Sequence, residues 1–204
     1  MMTTMIVEPV VLQGRHVRLE PLSLDHLDGL IAVGLDPDLW QWIPTPFDSA
    51  DKMRLYVELA LDEQKRGVSL PFAKIDARTG QVIGCTRFGN IERQHRRLEI
   101  GWTWIARSHQ RSGVNTEAKT LLLSHAFETL GAHRVEWKTD ALNLRSRAAI
   151  ARLGATQEGI FRRHVVCADG RVRDTVYFSM IDSEWQAAKA RLLAMLEQGG
   201  PSRS

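Results

Sequence analysis

The sequence predicts a mixed α/β fold, with helices flanking a central, mostly antiparallel sheet, and three observations carry that expectation. Strand-like and helix-like segments do not alternate strictly, which sets aside a doubly wound parallel sheet. Three consecutive strand patterns, Leu70 to Asp76, Val82 to Ile91 and Arg97 to Ala106, read as an antiparallel meander. Further on, strand and helix patterns alternate once before a hairpin marked by Asp169-Gly170.

The elements follow in order. Val10 to Glu20 alternates around a Gln-Gly turn and reads as a first strand or short hairpin. Ser23 to His26 opens a helix through Gly34, with Leu27, Leu30 and Ile31 at helical spacing. Asp36-Pro37-Asp38 ends it, and a loop with Trp40, Trp42, Ile43, Pro44 and Phe47 follows. Ser49 or Asp51 caps a second helix to Arg66, with Met53, Val57, Ala60 and Leu61 on one face. After the meander, a polar loop leads into a helix from Thr116 to Leu130, closed by Gly131. Arg134 to Thr139 is the next strand, and Asn143 caps a helix that ends at Leu153-Gly154. The final hairpin pairs Phe161 to Ala168 with Arg171 to Ile181. Ser183 and Gln186 have capping-box spacing for a last helix. The whole chain, 1–204, reads as one domain, with a core over about 11–182 and a terminal helix over about 183–197.

Composition narrows the function. Hydrophobic residues make up 44% and charged residues 25%, the balance of a water-soluble globular chain. No apolar run approaches the ~20 residues of a membrane helix, and the N-terminus lacks a secretory pattern. Two cysteines, Cys85 and Cys167, form neither a disulfide framework nor a zinc motif, so a reduced, cytoplasmic setting is expected. The seven histidines show no metal-ligand spacing, and no metal is expected. The net charge of +3 is spread over short arginine clusters, which gives little support for a nucleic-acid partner.

Gln110-Arg111-Ser112-Gly113-Val114-Asn115 lies between a strand and a helix. Orphan N–H groups and the macrodipole make a helix N-terminus receptive to anions, and Arg107 and Arg111 add charge of the right sign. No G-x-x-x-x-G-K-S/T and no G-x-G-x-x-G is present, against a nucleoside-triphosphatase or a dinucleotide enzyme. Taken alone, a single glycine before a helix favours an ordinary connection with an Asn cap.

Read with its neighbours, Q-R-S-G-V-N after the strand LEIGWTWIA resembles the pyrophosphate loop of the GNAT (Gcn5-related N-acetyltransferase) superfamily, Q/R-x-x-G-x-G/A. N-L-R-S-R-A-A-I-A-R-L-G-A resembles the superfamily's second conserved segment, and the element order matches from about Val11 to Ile181. E-I-G-W, Ser146 three residues after Asn143, and the late R-D-T-V-Y-F strand resemble the RimJ/RimL-like branch of ribosomal-protein N-terminal acetyltransferases.

The resemblance implies a sheet splayed between its fourth and fifth strands, with acetyl-coenzyme A as co-substrate in the gap. It places backbone groups of Trp104, Ile105 and Ala106 along the pantetheine. Gln110 and the amides of Arg111, Ser112, Gly113, Val114, Asn115 and Thr116 would hold the pyrophosphate, and Asn143 the pantetheine arm. The loop departs from the pattern at Asn115, where Gly or Ala is usual. Ile150 stands seven residues after Asn143, where many members carry a tyrosine acid.

Direct transfer to an amine needs a base, oxyanion donors and help for the departing thiolate. Glu99, a lone carboxylate in the apolar strand LEIGWTW, is the candidate base, against an arginine-paired strand residue. Ser146 is the candidate donor to the thiolate, against a solvent-facing helix residue. Trp40 and Trp42 are candidates for the acceptor pocket, against packing beneath a loop. Glu117, in the first turn of the following helix, is expected to face away from any phosphate. The acceptor is a protein or peptide α-amine or a small amine, a non-catalytic acyl-coenzyme A-binding module is the alternative, and a homodimer is expected from the superfamily.

Overall fold

Alternation of apolar and polar residues decides which face of each strand is covered. In this computed structural model, which describes residues 4–198, that patterning closes one eight-stranded sheet. The elements are β1 (Leu12–Gln13), β2 (Val17–Pro21), α1 (Leu27–Gly34), α2 (Ala50–Lys65), β3 (Leu70–Asp76), β4 (Val82–Glu92) and β5 (Arg97–Ile105). There follow α3 (Val114–Ser124), β6 (Arg134–Asp140), α4 (Leu144–Leu153), β7 (Thr156–Val166), β8 (Val172–Ile181) and α5 (Asp182–Glu197). The spatial order is β1-β2-β3-β4-β5-β6-β8-β7. Every pairing is antiparallel except β5 with β6. The expected mixed, mostly antiparallel sheet is therefore present, and its fourth and fifth strands are β5 and β6.

Two cores follow from the two faces. Leu70, Phe72, Leu98, Ile100, Val135, Trp137, Val176 and Phe178 turn to one side, under α3 and α5. Ala73, Ile75, Cys85 and Trp104 turn to the other, under α1 and α2. Polar residues buried on either face are therefore exceptions that need partners.

Local chemistry shifts several expected boundaries. β7 begins at Thr156 rather than Phe161. Its pairing with β8 slips between Gln157 and Gly159, and Glu158 there binds Arg134 and, at 2.8 Å, the Ser179 hydroxyl. The bulge lets a polar stretch continue the strand. The Ser183/Gln186 box does not form; α5 starts at Asp182, and the Glu184 carboxylate accepts the Ile181 N–H at 3.0 Å. α3 starts at Val114, two residues early, and widens into a π-helical turn over His125–Thr129. Gly154 closes α4 at φ +101°, a conformation that favours glycine.

Glu117 ties the two ends of the first core together. Its carboxylate accepts N–H bonds from Arg15, His16 and Val17 at 2.8, 2.7 and 2.8 Å. Buried in the first turn of α3, it faces the β1–β2 turn, away from the loop before the helix. Its charge also complements the helix N-terminus. Replacing it by alanine leaves three amide donors without that acceptor. Glu117→Ala is expected to lower unfolding free energy in urea by about 2–4 kcal/mol; a loss below about 0.5 kcal/mol would mean that water replaces the carboxylate freely.

Candidate functional site

β5 and β6 part company early. Their parallel ladder runs only through Arg97–Arg134, Leu98–Val135 and Glu99–Glu136. Beyond it, β5 stays with β4 and β6 stays with β8. The cause lies in β5: between Gly101 and Trp104 it carries one residue more than the facing stretch of β4, and Trp102 takes φ +48°. Such a bulge bends a strand and increases its twist. Gly89 makes room for the displaced indole, since a Cβ there would lie 2.2 Å from the Trp102 ring. The Arg87 guanidinium covers the same ring at 4.9 Å.

Backbone groups at the end of β5 are divided between β4 and the gap. The Ala106 N–H donates to the Ile83 carbonyl at 2.8 Å, so it faces β4. The Trp104 carbonyl abuts Gly84 of β4, and the Trp104 side chain is buried in the α1/α2 core. Alternation then leaves Ile105 as the one of the three expected residues whose N–H and C=O face the gap. Trp104 and Ala106 are corrected accordingly: strand pairing already engages them.

The loop after β5 presents unpaired donors. The N–H groups of Arg111, Ser112, Gly113, Asn115 and Thr116 have no protein acceptor among the described residues. The Val114 N–H has only the Ser112 hydroxyl, at 3.4 Å. Ser112 in turn donates to the His109 carbonyl at 2.6 Å, and Arg111 sits at φ +58°, which turns the chain into the helix. Gln110 lies across the mouth: its amide donates to the Ile105 carbonyl at 3.2 Å and accepts from Arg145 of α4 at 2.7 Å. Arg152 of α4 reaches the Thr116 hydroxyl at 3.3 Å. Arg107, expected to serve the loop, is bound by Asp38 at 3.0 Å and Asp36 at 3.6 Å in the α1–α2 loop. His109 is held by Asp76 at 3.0 Å and braces the β3–β4 turn.

Glu99 occupies the fork where the strands separate. It is buried, and its Oε2 accepts from Asn90 at 2.7 Å and pairs with the Lys138 ammonium at 2.8 Å. Burial opposes the charge on Lys138, but the Glu99 carboxylate outweighs it and holds the ammonium above the ordinary lysine range. The other oxygen, Oε1, faces Gly101, where an added Cβ would stand 2.9 Å away. One carboxylate oxygen is thus anchored and the other left open to a proton donor. Among the described residues no arginine pairs with Glu99; a lysine from the neighbouring strand takes that place.

Across the gap, the Asn143 side chain caps α4 by accepting the Ser146 N–H at 2.9 Å. Its amide nitrogen remains free to donate, and the half-buried Ser146 stands in the same first turn. Ile150 is buried in the main core and supplies no proton donor. Trp40 is 4% exposed, packed on Phe47, Tyr56 and Trp104, and its indole N–H donates to the Gly34 carbonyl at 2.8 Å. Its role is to hold the α1–α2 loop, a correction to its place in an acceptor pocket. Trp42 is half-buried under the Arg171 guanidinium at 5.8 Å. The Ala168 N–H bonds the Pro44 carbonyl at 2.8 Å, so the β7–β8 turn and this loop meet.

Sequence patterning missed two buried lysines beneath the loop. Lys74 of β3 reaches Asn115 at 3.3 Å, and Lys119 of α3 donates to the Thr103 hydroxyl at 2.7 Å. Neither has a carboxylate partner among the described residues. Burial pushes Lys74 down to about 8. Burial, then repulsion from Lys74, pushes Lys119 well below the lysine range. Lys74 alternates with Leu70 and Phe72 on a core face, which was the available signal. Among the described residues no group of three or more His, Cys, Asp or Glu is placed to hold a metal, and no helix is long and apolar enough to cross a membrane.

Comparison with known proteins places this geometry. The acetyltransferase (GNAT) domain model matches residues 16–156. An uncharacterized N-acetyltransferase, p20, of Bacillus licheniformis is 28% identical over 175 residues, covering 85% of this chain and 97% of its own. The [ribosomal protein uS5]-alanine N-acetyltransferase of Escherichia coli is 28% identical over 122 residues, covering 59% of this chain and 62% of its own. Among solved structures, a GCN5-related N-acetyltransferase from Brucella melitensis superposes with a TM-score of 0.85 at 36% identity, over 93% of this chain and 86% of that one. Mycobacterium smegmatis RimJ in complex with CoA-disulfide superposes at 0.77 with 26% identity, over 87% and 88%.

The unpaired lysine gives a signed pH dependence. A lysine depressed on folding destabilises fully below its folded value, and the penalty is relieved as pH rises from about 8 toward the unfolded value of about 10.4. Lys74→Met is expected to raise unfolding free energy by about 1–3 kcal/mol at pH 7 in the ligand-free protein. The gain should shrink between pH 8 and 10. A gain independent of pH would show that the lysine titrates alike in the folded and unfolded chain, with no depression on burial.

Proposed function

Because the chain belongs to the GNAT acetyltransferase family, in its RimJ/RimL-like branch, we propose that it transfers an acetyl group from acetyl-coenzyme A to the α-amine of a protein or peptide. The observation that carries this reading is the run of N–H groups from Arg111 to Thr116, all but that of Val114 unpaired among the described residues, beside an opened parallel strand pair. Those donors, the α3 dipole and the side chains of Arg111, Arg145 and Arg152 fit a diphosphate. The gap beyond Glu99 fits an extended arm, with Ile105 offering backbone groups on one side and the Asn143 amide on the other.

Acetyl-coenzyme A supplies a thioester whose carbonyl carbon gains the amine nitrogen and loses the thiolate sulfur. Glu99 Oε1 accepts the proton that the amine gives up, directly or through a water. Lys138 and Asn90 fix the carboxylate through Oε2, so the open oxygen has one orientation. An α-amine with a pKa of about 7.7–8.0 is already partly neutral at pH 7, so such a paired carboxylate is base enough; a lysine amine near 10.4 demands more. The Ser146 hydroxyl donates to the leaving sulfur in place of the tyrosine that Ile150 replaces. The Escherichia coli relative is named for acting on a ribosomal-protein alanine, which supports a protein N-terminus as acceptor.

Thiol release from acetyl-coenzyme A is the test. Peptides with a free N-terminus should react, and the same peptides blocked at the N-terminus but carrying lysine should not. Glu99→Gln is expected to lower kcat/KM by about 10²–10³-fold and Ser146→Ala by about 10-fold, with acetyl-coenzyme A affinity unchanged in both. Turnover of blocked lysine peptides would move the acceptor to a side chain. Binding of acetyl-coenzyme A with no release for any amine would favour a non-catalytic binder.

A further inference from the structure

On the open side of the sheet, one charge has no protein partner among the described residues. On β8, Val176, Phe178 and Met180 fill the α3-side core. Arg173, Thr175 and Tyr177 therefore face the other side. There β6 sets Asp140 beside Thr175 and Lys138 beside Tyr177. Glu99, Lys138, Asp140 and Arg173 thus share one sheet face, with Glu99 at the fork and Arg173 further along, two residues beyond the Asp140–Thr175 pair, toward the meeting of the α1–α2 loop with the β7–β8 turn.

Arg173 is 8% exposed, and its side chain makes no hydrogen bond or ion pair among the described residues; its Nε is buried with no partner. The carboxylates nearby are already engaged. Asp140 binds Arg171 at 2.7 Å and the Leu142 N–H at 2.9 Å. Glu99 binds Lys138 and Asn90. Asp174 turns to the opposite face and accepts the Arg163 N–H at 2.6 Å. The Thr175 hydroxyl beside it is likewise buried without a partner. An unpaired buried guanidinium is costly, and arginine stays charged rather than losing its proton. Burial pushes Arg173 down, while Asp140, Cys167 and Glu99 favour its charge and Arg171 opposes it.

We propose that Arg173, with Thr175, is the receptor for a carboxylate on the substrate, so that the enzyme selects acyl-transfer partners bearing an acid group close to the reacting centre. The inference rests on the acetyltransferase reading for the identity of the reaction. A guanidinium fork matches a carboxylate in two parallel hydrogen bonds, and the threonine hydroxyl supplies another donor. The pantetheine arm bears no anion, and the phosphates belong at the α3 loop. The carboxylate comes either from the acceptor, as an acidic residue next to its N-terminal amine, or from the acyl group of a dicarboxylic acyl-coenzyme A.

The test uses the full chain and two readouts. The first is turnover: amidated peptides beginning Ala-Asp or Ala-Asn with acetyl-coenzyme A, and succinyl- against acetyl-coenzyme A with the Ala-Asn peptide. The wild type should prefer the acidic member of one pair by at least about tenfold, the size of one charge-assisted hydrogen bond. The pair that shows it names the source. Arg173→Met should abolish the preference while folding with an unchanged or higher Tm. If that variant does not fold, Arg173→Lys, which keeps the charge but not the fork, should weaken the preference. The second readout needs no turnover: succinate should raise the wild-type Tm above a sodium chloride control of equal ionic strength, and Arg173→Met should remove the rise. No preference in either pair, or one that both variants retain, overturns the proposal. If no amine reacts, the acetyltransferase reading fails, and the succinate shift still decides for or against the carboxylate site.

Discussion

The parting of β5 from β6 after Glu99 and Glu136 is the constraint on which the remaining architecture depends. A parallel pair inside a sheet normally continues its ladder, because unpaired backbone groups away from water are costly. Here the extra residue near Trp102 gives β5 a twist that β6 does not share. The result is a wedge with backbone donors and acceptors on its walls. Glu99 sits at its apex, the loop before α3 at one rim and the first turn of α4 at the other. Gln110 spans the rim between Ile105 and Arg145, so the two sides are tied in register.

The wedge is lined by positive groups in excess of local acids. Lys74 and Lys119 lie under the loop, Arg145 and Arg152 beside it, and Arg173 on the open face of the far strand. Elsewhere the chain pairs its buried charges closely: Arg87 with Glu63, Arg134 with Glu136, and Glu117 with three amides. The unpaired cations around the cleft cost stability where they stand, and their charge suits the anionic groups of the proposed co-substrate. Glu99 shows the same pattern within one side chain, with Oε2 anchored and Oε1 facing Gly101.

The loop and the α4 cap were legible because their chemistry is local. A glycine before a helix, an asparagine at its cap and the Asp-Gly turn act over a few residues, so their spacing in the chain is their spacing in space. The roles of Trp40 and Arg107 were not legible. Each is fixed by residues far along the chain: Trp104 and Tyr56 bury the indole, and Asp36 and Asp38 bind the guanidinium. Lys138 was missed for the same reason, since its partner Glu99 lies on another strand.

The sequence by itself determined the mixed sheet, the order of its strands and helices, the loop before α3 as a candidate anion site, and the candidate base and donor. Periodicity, turn residues and caps report energies that are settled within a single element. Only the tertiary structure decided where β5 and β6 separate, which of Trp104, Ile105 and Ala106 faces the gap, which oxygen of Glu99 is open, and that Arg173 stands unpaired. Those outcomes depend on strand register and on which charges are brought within a few ångströms of one another, and neither is encoded in spacing along one segment.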